Sequence, residues 1–298
     1  MSIQKLSHVH VGVRDIDEAL QFHRDTLGLS ELSRDGETVF LGCGLDNNFD
    51  VALTPGRTGV QRMAFDVTSE DDFDLYSARL ADAGIKFELR TDPDPGVAKA
   101  LQFTLPSGHL MELVTLSEAL QYLRVSVPTH PRNVGIAPTD IDHLTIHVDD
   151  GRQFIEFMCS VMDFRASDVI EAAPGVWMAG WLHTSDNHHD MAILPPGGEG
   201  ATLHHVAWTL DGIEHMKRSA DLLGHIGVPI EVGPGRHTIG SNLFTYFQAP
   251  GGNRYELSAE MGRAANRAAD PSFWTAEEFA RGFSAWGQVP PEGFQLGS

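Results

Sequence analysis

The chain has 298 residues and a mass of 32.6 kDa, which favours two domains on a prior of roughly 100 to 200 residues each. Its two cysteines, Cys43 and Cys159, form no CxxC spacing, which excludes a disulfide framework and a thiolate zinc site. The formal net charge of −20 repels phosphates and anionic headgroups, so we expect no nucleic-acid or membrane partner. Because the sequence shows neither a signal-peptide pattern nor a membrane-spanning apolar run, we expect a cytoplasmic protein.

The first half opens with a strand pattern at residues 6–11, and a stretch that predicts an amphipathic helix follows it. A second strand pattern, QRMAF at residues 61–65, leads into another helical stretch and a glycine-started strand at residues 84–87. Two closing strands surround a Pro-Gly turn in PSGHLME at residues 106–112. This half therefore reads as strand, helix and several short strands, twice over.

The second half repeats the pattern at matching spacings, which indicates an internal duplication. IDHLTIHV at residues 141–148 matches the first strand, and HHVAW at residues 204–208 matches QRMAF. PGGNRYE at residues 250–256 matches PSGHLME, with the same spacing from proline to glutamate. We therefore predict an α+β fold with two tandem domains, each made of paired βαβββ modules.

The repeat also sets the predicted domain boundaries. We expect an N-terminal domain at residues 1–116, a proline-containing linker at residues 117–139, a C-terminal domain at residues 140–261 and a tail at residues 262–298.

The tail contains a capping-box pattern at residues 275–278, which predicts a short helix that carries Phe279 and Phe283 one turn apart. Trp274 and Trp286 flank this helix. Since a free polar tail would not carry so many aromatic residues, we predict that the tail docks on the body of the protein or on a neighbouring subunit.

Three residues of the second half have the character of metal ligands. Alternation along the first strand places His143 on the same face as Thr145 and His147, and His205 occupies the equivalent position in the next module. Glu256 lies on the closing strand of that module. Two imidazoles and one carboxylate make a facial triad that leaves three adjacent positions open, which suits iron(II) or manganese(II) better than zinc.

The first half serves as an internal comparison. Its equivalent residues are His8, Arg62 and Glu112, and a guanidinium that stays protonated cannot bind a metal ion. We therefore predict a metal site in the second half only. Within that half we choose His205 over His204, because neighbouring residues of a strand face opposite sides and only His205 aligns with the first histidine of the triad.

Further polar residues lie in segments that lead toward the predicted cavity. They are the pair His188 and His189, His237 and Tyr246. Oxidative cleavage of an aromatic diol needs a base, a hydrogen-bond donor and an acid, and these side chains can supply all three. From composition alone, the histidine pair is equally well read as an exposed polar loop, and His237 as part of an ordinary turn.

The strongest sequence signal is GRH at residues 235–237, with Tyr246 nine residues after His237 and Glu256 ten residues further on. With this spacing, residues 1 to about 261 resemble the type I extradiol ring-cleaving dioxygenases of the vicinal oxygen chelate superfamily. Thr245 stands where the pattern usually has an apolar residue.

The resemblance implies an Fe(II) ion, or Mn(II) in its place, held by the three predicted ligands. It implies His189 as the acid/base that faces the oxygen site, and His237 and Tyr246 as hydrogen-bonding partners of the substrate. It gives His188 no role. The implied partners are a catechol and dioxygen, the implied product is of the muconic semialdehyde type, and the implied assembly is a homo-oligomer.

Apolar side chains are expected around such a site, to keep it dry. The candidates are Trp177, Trp181, Leu243 and Phe247, which are read with more weight as ordinary core residues.

Two other functions fit the same scaffold, because a fold does not fix a function. One is a glyoxalase-like metal-dependent isomerase or hydrolase, which needs no oxygen and tends to use a second carboxylate ligand. The other is a metal-free ligand-sequestering protein, which needs aromatic clamps and no triad.

Overall fold

The computed structural model describes residues 2–44, 48–118 and 134–298, without the side chains of residues 280–282. The chain divides into two compact units, Met1–Ile141 and Asp142–Ser298. Residues 119–133, most of the predicted linker, lie outside the described residues. Where the description resumes, the N–H groups of Ile136 and Ala137 donate to the carbonyls of Thr26 and Leu27, which fixes this segment to the first unit.

The described residues of the first unit form a mixed sheet and two short helices. Its elements are β1 (Ile3–Val13), α1 (Ile16–Gln21) with a π-helical turn (Phe22–Leu27), β2 (Ser30–Asp35), β3 (Thr38–Gly42), β4 (Val51–Pro55), β5 (Gly59–Val67), α2 (Asp71–Asp82), β6 (Phe87–Thr91), β7 (Val97–Thr104) and β8 (Leu110–Leu116). The strand order in the sheet is β2-β3-β4-β1-β5-β8-β7-β6. This is the βαβββ module twice, as the sequence predicts.

The second unit repeats the arrangement and extends it. Its elements are β9 (Asp140–His147), α3 (Gly151–Ser160), β10 (Arg165–Ala173), β11 (Val176–His183), β12 (Met191–Leu194), β13 (Leu203–Thr209), α4 (Ile213–His225), β14 (Ile230–Arg236), β15 (Leu243–Gln248), β16 (Arg254–Ala259), β17 (Ser272–Thr275) and α5 (Ala276–Gly282). The strand order is β14-β15-β16-β13-β9-β12-β11-β10-β17. The predicted paired modules are confirmed here too, and the tail adds a strand at the edge of the sheet.

The local sequence explains where α3 begins and how it packs on the sheet. The carboxylate of Asp150 caps α3 by accepting the N–H of Gln153 at 2.9 Å, and Phe154 and Ile155 bury the apolar face of this helix. A Cβ atom at Gly180 of β11 would lie 2.6 Å from Cδ1 of Ile155, so a larger residue there would force the side chain of Ile155 to move. Within the described part of the chain, no helix is long and apolar enough to cross a membrane.

Strand register brings the predicted ligands to one region. Strands β16, β13 and β9 are neighbours in the second sheet. Ala207 of β13 and Tyr246 of β15 both pair directly with Glu256 of β16. Paired residues project on the same face of a sheet, as do alternate residues of one strand. His205, two residues before Ala207, therefore shares the face of Glu256.

Candidate metal centre

Three buried donor atoms meet where β9, β13 and β16 lie side by side. Nε2 of His143 lies 3.2 Å from Oε2 of Glu256, Nε2 of His205 lies 3.0 Å from the same oxygen, and the two nitrogens are 3.3 Å apart. All three side chains are almost inaccessible to solvent. The structure thus brings together the residues that the sequence nominates as ligands.

The size of this triangle fits one face of a coordination octahedron. Ligand atoms about 2.1 Å from an ion and at right angles to each other are about 3.0 Å apart. The three edges here measure 3.2, 3.0 and 3.3 Å. Two imidazoles and a carboxylate are also the donor set typical of iron(II) sites that keep adjacent positions open. The residues therefore fit such an ion.

The charges of the three candidate ligands are coupled. Burial would raise the pKa of Glu256, but the two imidazoles beside it hold that pKa well below its usual range. Burial would lower the pKa of His143, yet the carboxylates of Glu256 and Asp142 raise it to about 10. Burial dominates at His205 and lowers its pKa to about 4. One proton on His143 thus balances the buried carboxylate, and a divalent cation can take the place of that proton.

Two further polar side chains contact the candidate ligands. The amide of Asn242 donates from Nδ2 to Oε1 of Glu256 at 3.0 Å, and a partner of this kind can orient a carboxylate ligand. Oγ1 of Thr145 lies 3.1 Å from Nε2 of His205, the nitrogen that would bind the ion, so a bound ion would replace this contact. Sequence reasoning places Thr145 on the right strand face without giving it a role. It misses Asn242, which lies in the connection before β15, where no periodic pattern marks it.

His189 stands against one of these ligands. Its ring centroid lies 4.3 Å from that of His143, and the residue is only 2% exposed. Burial lowers its pKa well below the usual value, and the imidazoles of His143 and His188 act in the same direction. His189 is therefore a buried neutral ring, which differs from the exposed polar loop that composition alone allows.

His237 and Tyr246 form a hydrogen-bonded pair next to the triad. Nδ1 of His237 lies 2.6 Å from the carbonyl oxygen of Phe283, which can only accept, so Nδ1 carries the proton. Nε2 is then an acceptor and receives the hydroxyl of Tyr246 at 2.9 Å. Burial, reinforced by Glu256, raises the pKa of Tyr246 well above its usual value and keeps the phenol protonated.

Alternation along a strand would place His204 and His205 on opposite faces of the sheet, but their rings lie together. Nδ1 of His204 lies 2.6 Å from Nδ1 of His205, and both rings line the same cavity. Nε2 of His204 lies 2.8 Å from the carbonyl oxygen of Phe294 and turns away from the triad. It is Nε2 of His205 that faces Glu256, in line with the choice between the two histidines.

The cavity beside the triad is closed on one side by the tail. Its apolar wall consists of Trp181, Ala192, Leu194, Ile239, Phe279, Phe283 and Phe294. The capping box of Thr275 and Glu278 is present at the start of α5, so the predicted short helix is confirmed. The tail docks on its own unit, and it does so over the candidate metal centre.

Of the four apolar candidates named from the sequence, Trp181 is part of this wall. Leu243 and Phe247 are fully buried core residues instead, and Trp177 packs against Phe273 with ring centroids 5.8 Å apart. Thr245, the departure from the family pattern, is also buried, and its hydroxyl donates to the carbonyl of Phe244 at 2.9 Å. Its polarity is therefore satisfied inside the core.

In the first unit a guanidinium lies where the equivalent cation would be. Nη2 of Arg62 lies 2.7 Å from Nε2 of His10 and 2.5 Å from Oδ2 of Asp94, and Nη1 donates to Glu112 at 3.1 Å. His8, His10 and Asp94 are close enough to share an ion. Comparing the two halves of the sequence identifies Arg62 as the residue that prevents metal binding in the first unit. It does not predict that His10 and Asp94 are the neighbours of Arg62.

Comparisons with known proteins agree with the architecture. A family model described as the Glyoxalase/Bleomycin resistance protein/Dioxygenase superfamily matches residues 5–113 and 140–257. The chain is 28% identical over 311 residues to the manganese-dependent 2,3-dihydroxybiphenyl 1,2-dioxygenase of Geobacillus genomosp. 3, a match that covers 98% of this chain and 96% of that protein.

Solved structures match over the whole chain. Homoprotocatechuate 2,3-dioxygenase from Arthrobacter globiformis has a TM-score of 0.86 at 22% identity, covering 100% of this chain and 92% of that one. The Mn(II)-bound glyoxalase from Novosphingobium aromaticivorans has a TM-score of 0.82 at 25% identity, covering 100% and 95%. The same fold is thus found in a dioxygenase and in a glyoxalase, so the fold alone does not choose between these activities.

Proposed function

The chain belongs to the Glyoxalase/Bleomycin resistance protein/Dioxygenase superfamily, and from that premise we propose that it is an extradiol dioxygenase that cleaves a catechol next to its two hydroxyl groups. The observation that carries the proposal is one constellation. Three donor atoms with the spacing of a facial triad adjoin a cavity that is also lined by His189, His237 and Tyr246. The manganese-dependent dioxygenase relative, matched along almost its full length, supports the same activity.

In this proposal His143, His205 and Glu256 hold Fe(II), with Mn(II) as the alternative. When bound there, the ion would supply Lewis-acid and electron-transfer chemistry to a catechol and dioxygen. The ring bond next to the diol breaks, both oxygen atoms enter the product, and a muconic semialdehyde-type acid results.

The protein's own groups would move the protons of this reaction. His189, a buried neutral imidazole, would accept a proton from the diol and return it at ring opening, as general acid/base residues do. Tyr246 stays protonated and donates to His237. Its hydroxyl can turn from His237 and donate instead to an oxygen of the substrate. The phenylalanines of the tail would exclude water from this chemistry.

A metal-dependent glyoxalase is the second candidate, favoured by the fold shared with the Mn(II)-bound glyoxalase. Such an enzyme needs no oxygen, so activity under argon separates the two. Within the described residues, the triad is not supplemented by a second carboxylate ligand. A metal-free sequestering protein is disfavoured, because it needs no triad of donors, and burying the ion pair of His143 and Glu256 carries a desolvation cost.

The direct test compares His205→Ala with the wild type. We expect wild-type protein purified anaerobically to hold about one ferrous or manganous ion per chain and to consume oxygen when a catechol is added. His205→Ala should lose the ion and the oxygen uptake, because two ligands hold it too weakly. His225→Ala, on an exposed position at the end of α4, is the matched control and should keep both. Full metal content with full oxygen uptake in His205→Ala would overturn the ligand assignment.

A homo-oligomeric assembly and a cytoplasmic location remain predictions from the sequence. Sedimentation velocity of the purified protein measures the first, and cell fractionation the second.

A further inference from the structure

A chain of hydrogen bonds runs from His189 away from the cavity, through a residue to which the proposed function gives no role. Nδ1 of His189 lies 3.0 Å from Nδ1 of His188, and Nε2 of His188 lies 2.6 Å from Oδ2 of Asp168. The second oxygen of Asp168 accepts the indole N–H of Trp274 at 2.6 Å. We propose that Asp168 and His188 are positioning residues that fix the orientation and the tautomer of His189. The inference rests on the proposed function.

The direction of each hydrogen bond follows from the carboxylate of Asp168 at the end of the network. A carboxylate can only accept, so Nε2 of His188 carries a proton that points at Asp168. In the neutral form of His188, Nδ1 is then the acceptor. Nδ1 of His189 must donate to it, because two bare nitrogens would repel each other at this distance. The nitrogen left without a proton is Nε2 of His189, the form needed to take a proton from a diol.

Hydrogen bonds and burial hold His188 and Asp168 in place, unlike the residues of an exposed loop. The backbone N–H of His188 donates to the carbonyl of Gly262 at 2.7 Å, and its own carbonyl accepts the hydroxyl of Ser167 at 2.5 Å. The side chains of His188 and Asp168 are 16% and 12% exposed. Asp168 is therefore a mostly buried carboxylate whose two oxygens are both engaged in strong hydrogen bonds.

The C-terminal tail holds the Asp168 end of this series of hydrogen bonds in place. Strand β17 runs parallel to β10, and Ser272 pairs with Asp168, which brings Trp274 onto the carboxylate. A salt bridge that serves stability alone would not need to end on the ring that faces the metal centre. The arrangement resembles the carboxylate and histidine pairs that orient metal ligands, here applied to a histidine that is not a ligand.

The test is Asp168→Asn in the metal-loaded enzyme. An asparagine has one acceptor oxygen for two donors, so either Trp274 or His188 loses its partner and the tautomer of His189 is no longer fixed. We expect kcat to fall by roughly 10-fold to 100-fold, as is typical when such orienting partners are lost. The KM for catechol and the metal content should stay within about twofold of wild type, since neither the ligands nor the pocket wall changes.

The matched control is Asp186→Asn, which changes an exposed carboxylate in the loop that carries His188 and His189; Asp186 pairs with Arg263 on the surface. This variant should keep the wild-type kcat. His189→Ala removes the ring and gives the largest fall in kcat that its misplacement could cause. If Asp168→Asn keeps the wild-type kcat, or if KM rises as much as kcat falls, the positioning role is overturned.

Trp274→Phe covers the case in which Asp168→Asn does not fold. It removes one hydrogen bond to the carboxylate but keeps an aromatic ring at this position, and we expect a smaller fall in kcat at unchanged KM. A wild-type kcat in Trp274→Phe, with Asp168→Asn unfolded, would assign Asp168 to folding and overturn the inference. If the wild type itself takes up no oxygen with any catechol, the proposed function fails instead, so the two failures are distinguishable.

Discussion

At the residue scale, the site shows which side chains a sequence can nominate. His143, His205 and Glu256 can be singled out because the duplication gives each a counterpart in the first half, where Arg62 breaks the pattern. Asn242, which holds Glu256, has no such signal, because a loop residue can reach a ligand only after the chain has folded.

The same limit applies to the chain of hydrogen bonds behind His189. Asp168 and His188 are twenty residues apart in the sequence, and their contact depends on how β10 and the loop after β11 are placed. Composition alone allows an exposed polar loop there as readily as a functional segment. The structure replaces it with a half-buried network, because the hydrogen bonds from Asp168 and Ser167 offset the desolvation of these groups.

A buried histidine in the first unit predicts a pH dependence of stability. Nδ1 of His23 bonds the carbonyl of Ala19 at 2.6 Å, and burial lowers its pKa from 6.5 to about 4. The unfolded chain therefore binds more protons than the folded chain between these values, so the free energy of unfolding must fall as the pH falls from 6.5 to 4. The difference corresponds to roughly 3 kcal/mol.

The measurement is urea unfolding of the wild type and of His23→Gln at several pH values. Glutamine can donate to Ala19 but does not titrate in this range, so its profile should be flatter by that amount. Parallel profiles for the two proteins would show that His23 does not couple to unfolding.

At the element scale, the tail is the part whose presence could be predicted and whose placement could not. The capping box and the aromatic spacing predict a docked helix, and α5 is there. The parallel pairing of β17 with β10 has no precursor in the repeat, because the first unit has no corresponding strand among its described residues. Backbone carbonyls of the tail also fix His237 and His204, through Phe283 and Phe294.

Phe283 should therefore matter for both stability and substrate fit. Its ring packs against Phe244 and Phe294 at centroid distances of 5.3 and 5.6 Å. For Phe283→Ala we expect a loss of about 3 kcal/mol in the free energy of unfolding, as for other buried phenylalanines. We also expect the KM of alkyl- or aryl-substituted catechols to rise more than that of catechol itself.

Phe273→Ala is the matched control, because this phenylalanine lies in β17 of the same tail but is 55% exposed. It should change stability and both KM values little. An equal rise in KM for substituted and unsubstituted catechols in Phe283→Ala would show that this wall does not contact the substituent.

At the scale of the whole molecule, the duplication is visible as two sheets with the same module order, of which the second carries the proposed metal centre. In the first unit, the described residues leave Nε2 of His8 and Oε2 of Glu112 buried without a hydrogen-bond partner. These atoms occupy positions equivalent to two of the proposed ligands in the second unit. Arg62 supplies the positive charge that the surrounding carboxylates require.

Replacing that charge should create a second site. For Arg62→His we expect the ion-free protein to be less stable, because a buried pair is broken, and the metal content to rise from about one to about two ions per chain. Elemental analysis gives the stoichiometry, and melting curves with and without Mn(II) show whether the ion restores stability. Arg62→Lys, which keeps the positive charge and adds no imidazole, should stay at one ion. A stoichiometry of one for both variants would show that the first unit no longer has a metal-binding geometry.

The order of the functional segments along the chain has a consequence for biosynthesis. All three proposed ligands precede residue 257, whereas the phenylalanines that wall the cavity lie beyond residue 278. On the ribosome the strands with the proposed ligands therefore emerge first and can assemble while the cavity is still open to solvent or to a metal carrier. We expect the ion to load most readily at that stage, and mature protein stripped of its metal to reload slowly, at the rate at which the last segment detaches.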